Sequence, residues 1–281
     1  MEIPTSLFEK LLFNTVRIEA TLKDGSQISG TGFFFDYTIE EQHFYFLVTN
    51  KHVIENTDQA NLVFNLQVNG KPALGKTFCL NITDFESAWF PHPKKNIDIA
   101  VMKFAPVLNF LDEKGIQIFI QPFDQSLIPS EKVINEEIDA VEDIIFIGYP
   151  NSIYDKKNLI PIVRKGITAT PFSVDFEGEP IFLIDGSIFP GSSGSPVFLY
   201  DRGSYSPKGK VLIAGSRIFF LGVVTSCYII NRNNQIENVD VPIKTEPIII
   251  TSQLINLGRV IKSKAVKELI EYILKKEGVE I

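Results

Sequence analysis

The chain has two cysteines, one tryptophan and three histidines among its 281 residues, and no apolar run reaches the roughly 20 residues that a membrane-spanning helix needs. Each shortage excludes something. Cys79 and Cys227 alone cannot build the disulfide framework of a small secreted domain. No His and Cys spacing resembles a metal ligand set, so no metal and no cofactor are expected. The opening residues, Met1-Glu2-Ile3-Pro4-Thr5-Ser6-Leu7-Phe8-Glu9-Lys10, hold acids and a proline but no sustained apolar core, unlike a secretory signal. A cytoplasmic protein with two thiols is the expectation, in which the Asn81-Ile82-Thr83 sequon has no glycosylation role. Clustered Lys and Arg are missing before the last twenty residues, and the net charge is −7. Neither nucleic acid nor an anionic membrane is expected as the main partner.

The shortage of histidine also shortens the search for chemistry. His43, His52 and His92 all precede the run Pro190-Gly191-Ser192-Ser193-Gly194-Ser195-Pro196. A serine hydroxyl is a poor nucleophile at neutral pH unless an imidazole accepts its proton, and a carboxylate on the far ring nitrogen favours the required tautomer and the later positive charge. The segments Val48-Thr49-Asn50-Lys51-His52-Val53 and Asn96-Ile97-Asp98-Ile99-Ala100-Val101-Met102 supply both. His52 is read as the base, Asp98 as its orienter and Ser193 as the nucleophile, in the chain order His, Asp, Ser. No histidine follows Ser193, which rules out the order Ser, acid, His for this serine, and Ser195 breaks the Gly-x-Ser-x-Gly elbow. An order with the acid first would press Asp24 or Asp36 into service, in surroundings that lack the alternating helices of that fold. The backbone N–H groups of Gly191 and Ser193 are read as donors to a developing oxyanion, since a turn that converges them needs angles that side chains disfavour.

These segments resemble those of trypsin-like serine peptidases, and especially the bacterial HtrA-type protease domain. That group carries Val-Thr-Asn-x-His-Val, Asp-Ile-Ala-Val and Asp-x-x-Ile-x-Pro-Gly-x-Ser-Gly-x-Pro, the last matching Asp185 to Pro196. Ile145-Phe146-Ile147-Gly148-Tyr149-Pro150 and Leu221-Gly222-Val223-Val224-Thr225-Ser226 extend the likeness, which spans residues 12 to 260. Ser195 departs from it, standing where the family usually has a second glycine.

The resemblance implies an all-β fold of two six-stranded antiparallel β-barrels, chymotrypsin-like, with a C-terminal helix. Residues 1–125 would form the first barrel with His52 and Asp98, and 126–281 the second with Ser193. It implies a serine endopeptidase that hydrolyses protein or peptide substrates through an acyl-enzyme. Ser187 would lie at the base of the specificity pocket, with walls from Phe189 and Pro190 to Ser192 and from Thr225 and Ser226 to Cys227. Val224 to Cys227 would pair with the substrate backbone as an added strand. No acid occupies position 187, which disfavours Arg or Lys selection and favours a small or medium uncharged side chain, although Asp185 is near. Ser192 replaces the aspartate that pairs with a new N-terminus in secreted relatives, so activation by that route is not expected. A silent trypsin-like module, or an esterase or acyltransferase on the same triad, are the competing readings.

The rest of the chain reads mostly as strands: 15–23, 30–37, 44–49, 62–69, 77–83 and 97–104, with Lys23-Asp24-Gly25-Ser26 as a hairpin turn. Residues 105–142 read as a crossing between barrels. Gly70-Lys71-Pro72-Ala73-Leu74-Gly75-Lys76-Thr77 fits the phosphate-binding-loop expression, but the strand-like Phe78-Cys79-Leu80 after it and Pro72 within it point to a hairpin. Ala265, Val266, Leu269, Ile270, Ile273 and Leu274 recur at helical spacing, predicting a helix over 263–277 with Ser263 as N-cap and Gly278 as stop, packed on the second barrel.

Overall fold

Two antiparallel sheets, each wrapped around its own apolar interior, account for most of the computed structural model, which describes residues 3–230, 236–240 and 253–281. The N-terminal sheet uses β1 (Thr15–Leu22), β2 (Gln27–Ile39), β3 (Gln42–Thr49), β4 (Thr57–Val68), β5 (Lys71–Thr83), β6 (Phe90–Pro91), β7 (Ala100–Lys103) and β8 (Phe123–Asp124). Its order is β5-β4-β1-β2-β3-β7-β6, and β8 adds a short parallel pairing to β2. The C-terminal sheet uses β9 (Asp143–Gly148), β10 (Ile162–Thr168), β11 (Ile181–Asp185), β12 (Pro196–Asp201), β15 (Arg217–Ile230), β16 (Ile236–Asp240) and β17 (Gln253–Lys262), while β13 (Ser204–Tyr205) and β14 (Ile213–Ala214) form a separate hairpin.

Because β12 pairs with both β9 and β15, the ring β12-β9-β10-β11-β17-β15 closes into a six-stranded antiparallel barrel, which removes its edges. The two-barrel, all-β expectation describes the chain. Among the described residues the N-terminal sheet differs in detail: it has eight strands, and its backbone pairing does not join β5 to β6.

Local chemistry explains the hairpins. In the β1–β2 turn Gly25 takes φ +84°, while the Asp24 carboxylate accepts from the Ser26 amide at 2.9 Å. Asn69 and Gly70, at φ +51° and +74°, turn β4 into β5 with the left-handed pair that suits the strand twist. The phosphate-loop pattern is therefore a hairpin. Residues 105–142 contain more structure than a plain crossing: a helix at Ala105–Glu113, begun by a proline in its first turn, and another at Glu131–Glu136, whose Ser130 side chain caps the Val133 amide.

Three apolar clusters hold the fold. One fills the N-terminal sheet around Ile18, Phe34, Leu62 and Phe104, and another fills the barrel around Phe146, Phe182, Leu221 and Val260. The third lies between them, where Phe33, Phe123, Phe198 and Phe220 meet with ring centroids 4.9 to 5.7 Å apart, including edge-on pairs. The C-terminal helix, Lys264–Lys276, buries all six residues of its predicted stripe in this shared cluster and so packs on both sheets rather than on the barrel alone. It ends as predicted: Gly278 is left-handed, and the amides of Val279 and Gly278 bond the carbonyls of Leu274 and Lys275, a Schellman closure. The Ser263 side chain, however, makes no capping hydrogen bond.

Candidate active site

His52, Asp98 and Ser193 meet at the seam between the sheets. His52 lies on a single helical turn, Lys51–Ile54, immediately after β3. Asn50 precedes that turn, but its amide is directed to the Asp98 carbonyl at 2.8 Å instead of capping the helix. Asp98 comes just before β7, and Ser193 sits in the turn that feeds β12. The His52 Nδ1 atom is 2.6 Å from Asp98 Oδ2, and Nε2 is 2.8 Å from Ser193 Oγ. Asp98 Oδ1 accepts from the His52 amide at 3.1 Å, which ties ring and carboxylate at a second point.

Two residues make hydrogen bonds at this site that the sequence reading did not assign. The Thr225 hydroxyl donates to Asp98 Oδ2 at 2.5 Å. Thr31 on β2 is the other. Its amide donates to the Ser193 carbonyl at 2.8 Å, and its hydroxyl donates to the Gly191 carbonyl at 2.8 Å. The flanking Gly30 and Gly32 were the only hint, marking a strand where other groups approach closely.

Burial alone would raise the Asp98 carboxyl. The hydrogen bond and charge of His52, the Thr225 hydroxyl and the His52 amide outweigh it and hold the group below the usual carboxylate range.

The turn around the serine is fixed from several sides. Gly191 and Gly194 take φ +86° and +84°, and Cβ atoms there would strike the Tyr149 and Thr31 carbonyls, respectively. The Pro190 carbonyl accepts from the Asn151 amide at 2.5 Å. Since no peptide bond in the described residues is cis, the Gly191 N–H points away from that carbonyl. Ser195, the departure from the family pattern, is fully buried against Gly148, where any Cβ would collide with its hydroxyl. The missing side chain at 148 makes room for the extra one at 195.

The predicted pocket residues are placed less uniformly. Ser187, Phe189 and Pro190 are half-buried and Ser192 is buried. Ile188 packs where Gly258 has no side chain, and the Arg164 guanidinium, absent from the sequence reading, lies 4.7 Å from the Phe189 ring centroid. The expected substrate edge, Val224 to Cys227, has backbone partners within the chain. The Val224 amide and carbonyl bond Ser195 and Gly194 at 3.0 Å each, and Ser226 and Cys227 pair with β17 on one side and β16 on the other. β15 and β16 thus run as neighbours from Ser226 to Ile230.

The remaining histidines are elsewhere. His43 pairs with Asp36 at the surface. His92 is 5% exposed, and its titration is depressed to about 4 by burial and by the charges of Lys51 and Lys94. Between the unperturbed value near 6.5 and that value the unfolded chain binds more protons, so stability falls as pH drops through this window. At about 1.4 kcal/mol per unit, the loss is about 3 kcal/mol. The unfolding midpoint should drop between pH 6.5 and 4, and His92→Gln should flatten that slope; an unchanged slope in urea titrations would reject the assignment.

The sequence pattern of the trypsin-like peptidase domain matches residues 30–204. That is more than half of the chain, which belongs to this family of proteases. No curated protein sequence matches it. Similar solved structures include the Rv3671c protease from M. tuberculosis in its active form, with 15% identity, a TM-score of 0.42, and coverage of 96% of this chain and 83% of that one. The serine endoprotease from Yersinia pestis gives 16%, 0.47, 98% and 68% in the same order. HL collagenase gives 15%, 0.46, 97% and 96%. No helix among the described residues is long and apolar enough to cross a membrane.

Proposed function

We propose that the protein is a serine endopeptidase in which Ser193 is the nucleophile, His52 the proton carrier and Asp98 its orienter. The observation that carries this reading is the unbroken line of contacts Asp98–His52–Ser193, at 2.6 and 2.8 Å. With Asp98 ionised and accepting from Nδ1–H, Nε2 is left as the acceptor that faces the serine hydroxyl.

As Ser193 Oγ bonds to the peptide carbonyl carbon, its proton moves to Nε2 and the carbonyl electron pair moves onto oxygen. The Gly191 and Ser193 N–H groups receive that oxyanion; the turn glycines and the engaged Pro190 carbonyl favour this arrangement. Collapse breaks the C–N bond while the imidazolium returns the proton to the leaving amine, and the acyl group stays on Ser193. Water, deprotonated by the same nitrogen, then releases the acid.

A fluorophosphonate probe tests the nucleophile, because it phosphonylates a serine only when base and hydroxyl are assembled. Wild-type protein should label, and Ser193→Ala should not. Absence of labelling in both would favour a silent module. Cleavage of a peptide library by the wild type, lost in Ser193→Ala, would distinguish a peptidase from an esterase or acyltransferase that also labels.

A further inference from the structure

We infer that β16, residues Ile236–Asp240, is an internal occupant of the substrate edge and holds the protease in a self-covered state. The inference rests on the peptidase reading above. Its basis is strand register. β15 has two edges: one pairs with β17 along Gly222–Ile230, and the other pairs first with β12, from Arg217 to Val223, and then with β16, from Ser226 to Ile230. Between those partners stands Thr225, whose hydroxyl bonds Asp98.

An extended peptide delivered to Ser193 would add to the β15 edge just beyond Thr225, where main-chain hydrogen bonds supply its affinity. β16 already makes that pairing, antiparallel to β15, with Asp240 opposite Ser226, Val239 opposite Cys227 and Ile236 opposite Ile230. It therefore advances from Ile236 to Asp240 toward the Thr225 end, with the polarity of an antiparallel added strand. Any peptide using this edge must displace it.

The covering strand is tethered by the same chain, so its local concentration reaches about millimolar or more, and a free peptide competes at a disadvantage. It leaves the triad contacts intact, with the nucleophile at 2.8 Å from its base. Small acylating reagents need only the triad and oxyanion donors; extended peptides need the edge as well. Displacing β16 should thus matter for extended peptides and not for small reagents.

The test compares full-length wild type with the double variant Asn238→Pro, Val239→Pro; adjacent amides of a strand face opposite sides, so one of the two prolines must remove a hydrogen bond to β15. Fluorophosphonate labelling should proceed at the same rate in both proteins, whereas kcat/KM on an extended peptide should rise about tenfold or more in the variant, mainly through KM. Equal labelling with unchanged or lower peptide hydrolysis overturns the inference. Absence of labelling in the wild type instead overturns the peptidase reading.

Hydrogen exchange on the wild type gives an answer even if the variant does not fold. Those amides of residues 236–240 that face β15, every second one along the strand, should be protected in the free protein and exchange rapidly once Ser193 carries a peptidyl phosphonate. Continued protection in that adduct overturns the inference.

Discussion

Asp98→Asn should lower kcat on a peptide substrate by about 10⁴ at neutral pH while leaving KM nearly unchanged. The carboxylate accepts from three donors at once: His52 Nδ1 and the Thr225 hydroxyl at Oδ2, and the His52 amide at Oδ1. An asparagine offers one acceptor oxygen and one NH₂. If the oxygen takes the Oδ2 position, the NH₂ faces a backbone N–H and two donors oppose each other. If it is reversed, the NH₂ faces Nδ1, which must become an acceptor; the ring proton then sits on Nε2 and cannot receive one from Ser193. Steady-state kinetics checks the result, and a loss below about tenfold would remove Asp98 from its assigned role. The substitution should also change acid stability. A carboxyl held below its usual range contributes stability that is complete above the unfolded value, near 4, and disappears as pH falls through the lower folded value. The asparagine variant lacks that contribution, so its unfolding midpoint should respond less steeply to acid.

Gly194→Ala should be the most damaging single substitution near the site that removes no functional group. Glycine there adopts φ +84°, and an added methyl would run into the Thr31 carbonyl and the Thr49 hydroxyl. Neither obstacle moves easily, because Thr49 Oγ1 donates to that same carbonyl at 2.7 Å and the Thr31 amide holds the Ser193 carbonyl. The left-handed conformation costs about 1–2 kcal/mol for a residue with a Cβ, and crowding a packed interior adds about 1–3. Against a total stability of about 5–15 kcal/mol, a loss of about 2–5 kcal/mol should lower the thermal midpoint by about 5–15 °C. Circular dichroism melting measures this. A midpoint within about 2 °C of wild type would show that the turn does not have the described conformation.

The parts of the site that were legible in the sequence are those where reaction chemistry restricts residue type. The proposed base, orienter and nucleophile call for His, an acid and Ser, and the local runs pointed to His52, Asp98 and Ser193, which the fold brings into contact. The C-terminal helix was legible for a different reason, since one buried face imposes its period on Ala265 through Leu274. What could not be read depends on which strands become neighbours. Thr225 is an ordinary β-branched strand residue until the fold lays its hydroxyl on Asp98. Ser195 reads as a flaw in a glycine motif until Gly148, 47 positions earlier in the numbering, is brought against it. The helix at Glu131–Glu136 is too short to show a period, and β16 covers an edge that local pattern leaves open.

The strand that follows Ser193 is bound along both flanks, with Val197 to Leu199 paired to β9 on one side and to β15 on the other. Fraying normally begins at a free margin, and this stretch has none. Its amides can meet solvent only when the cylinder itself comes apart, so the strand that anchors the Ser193 turn has no easy route to separate melting.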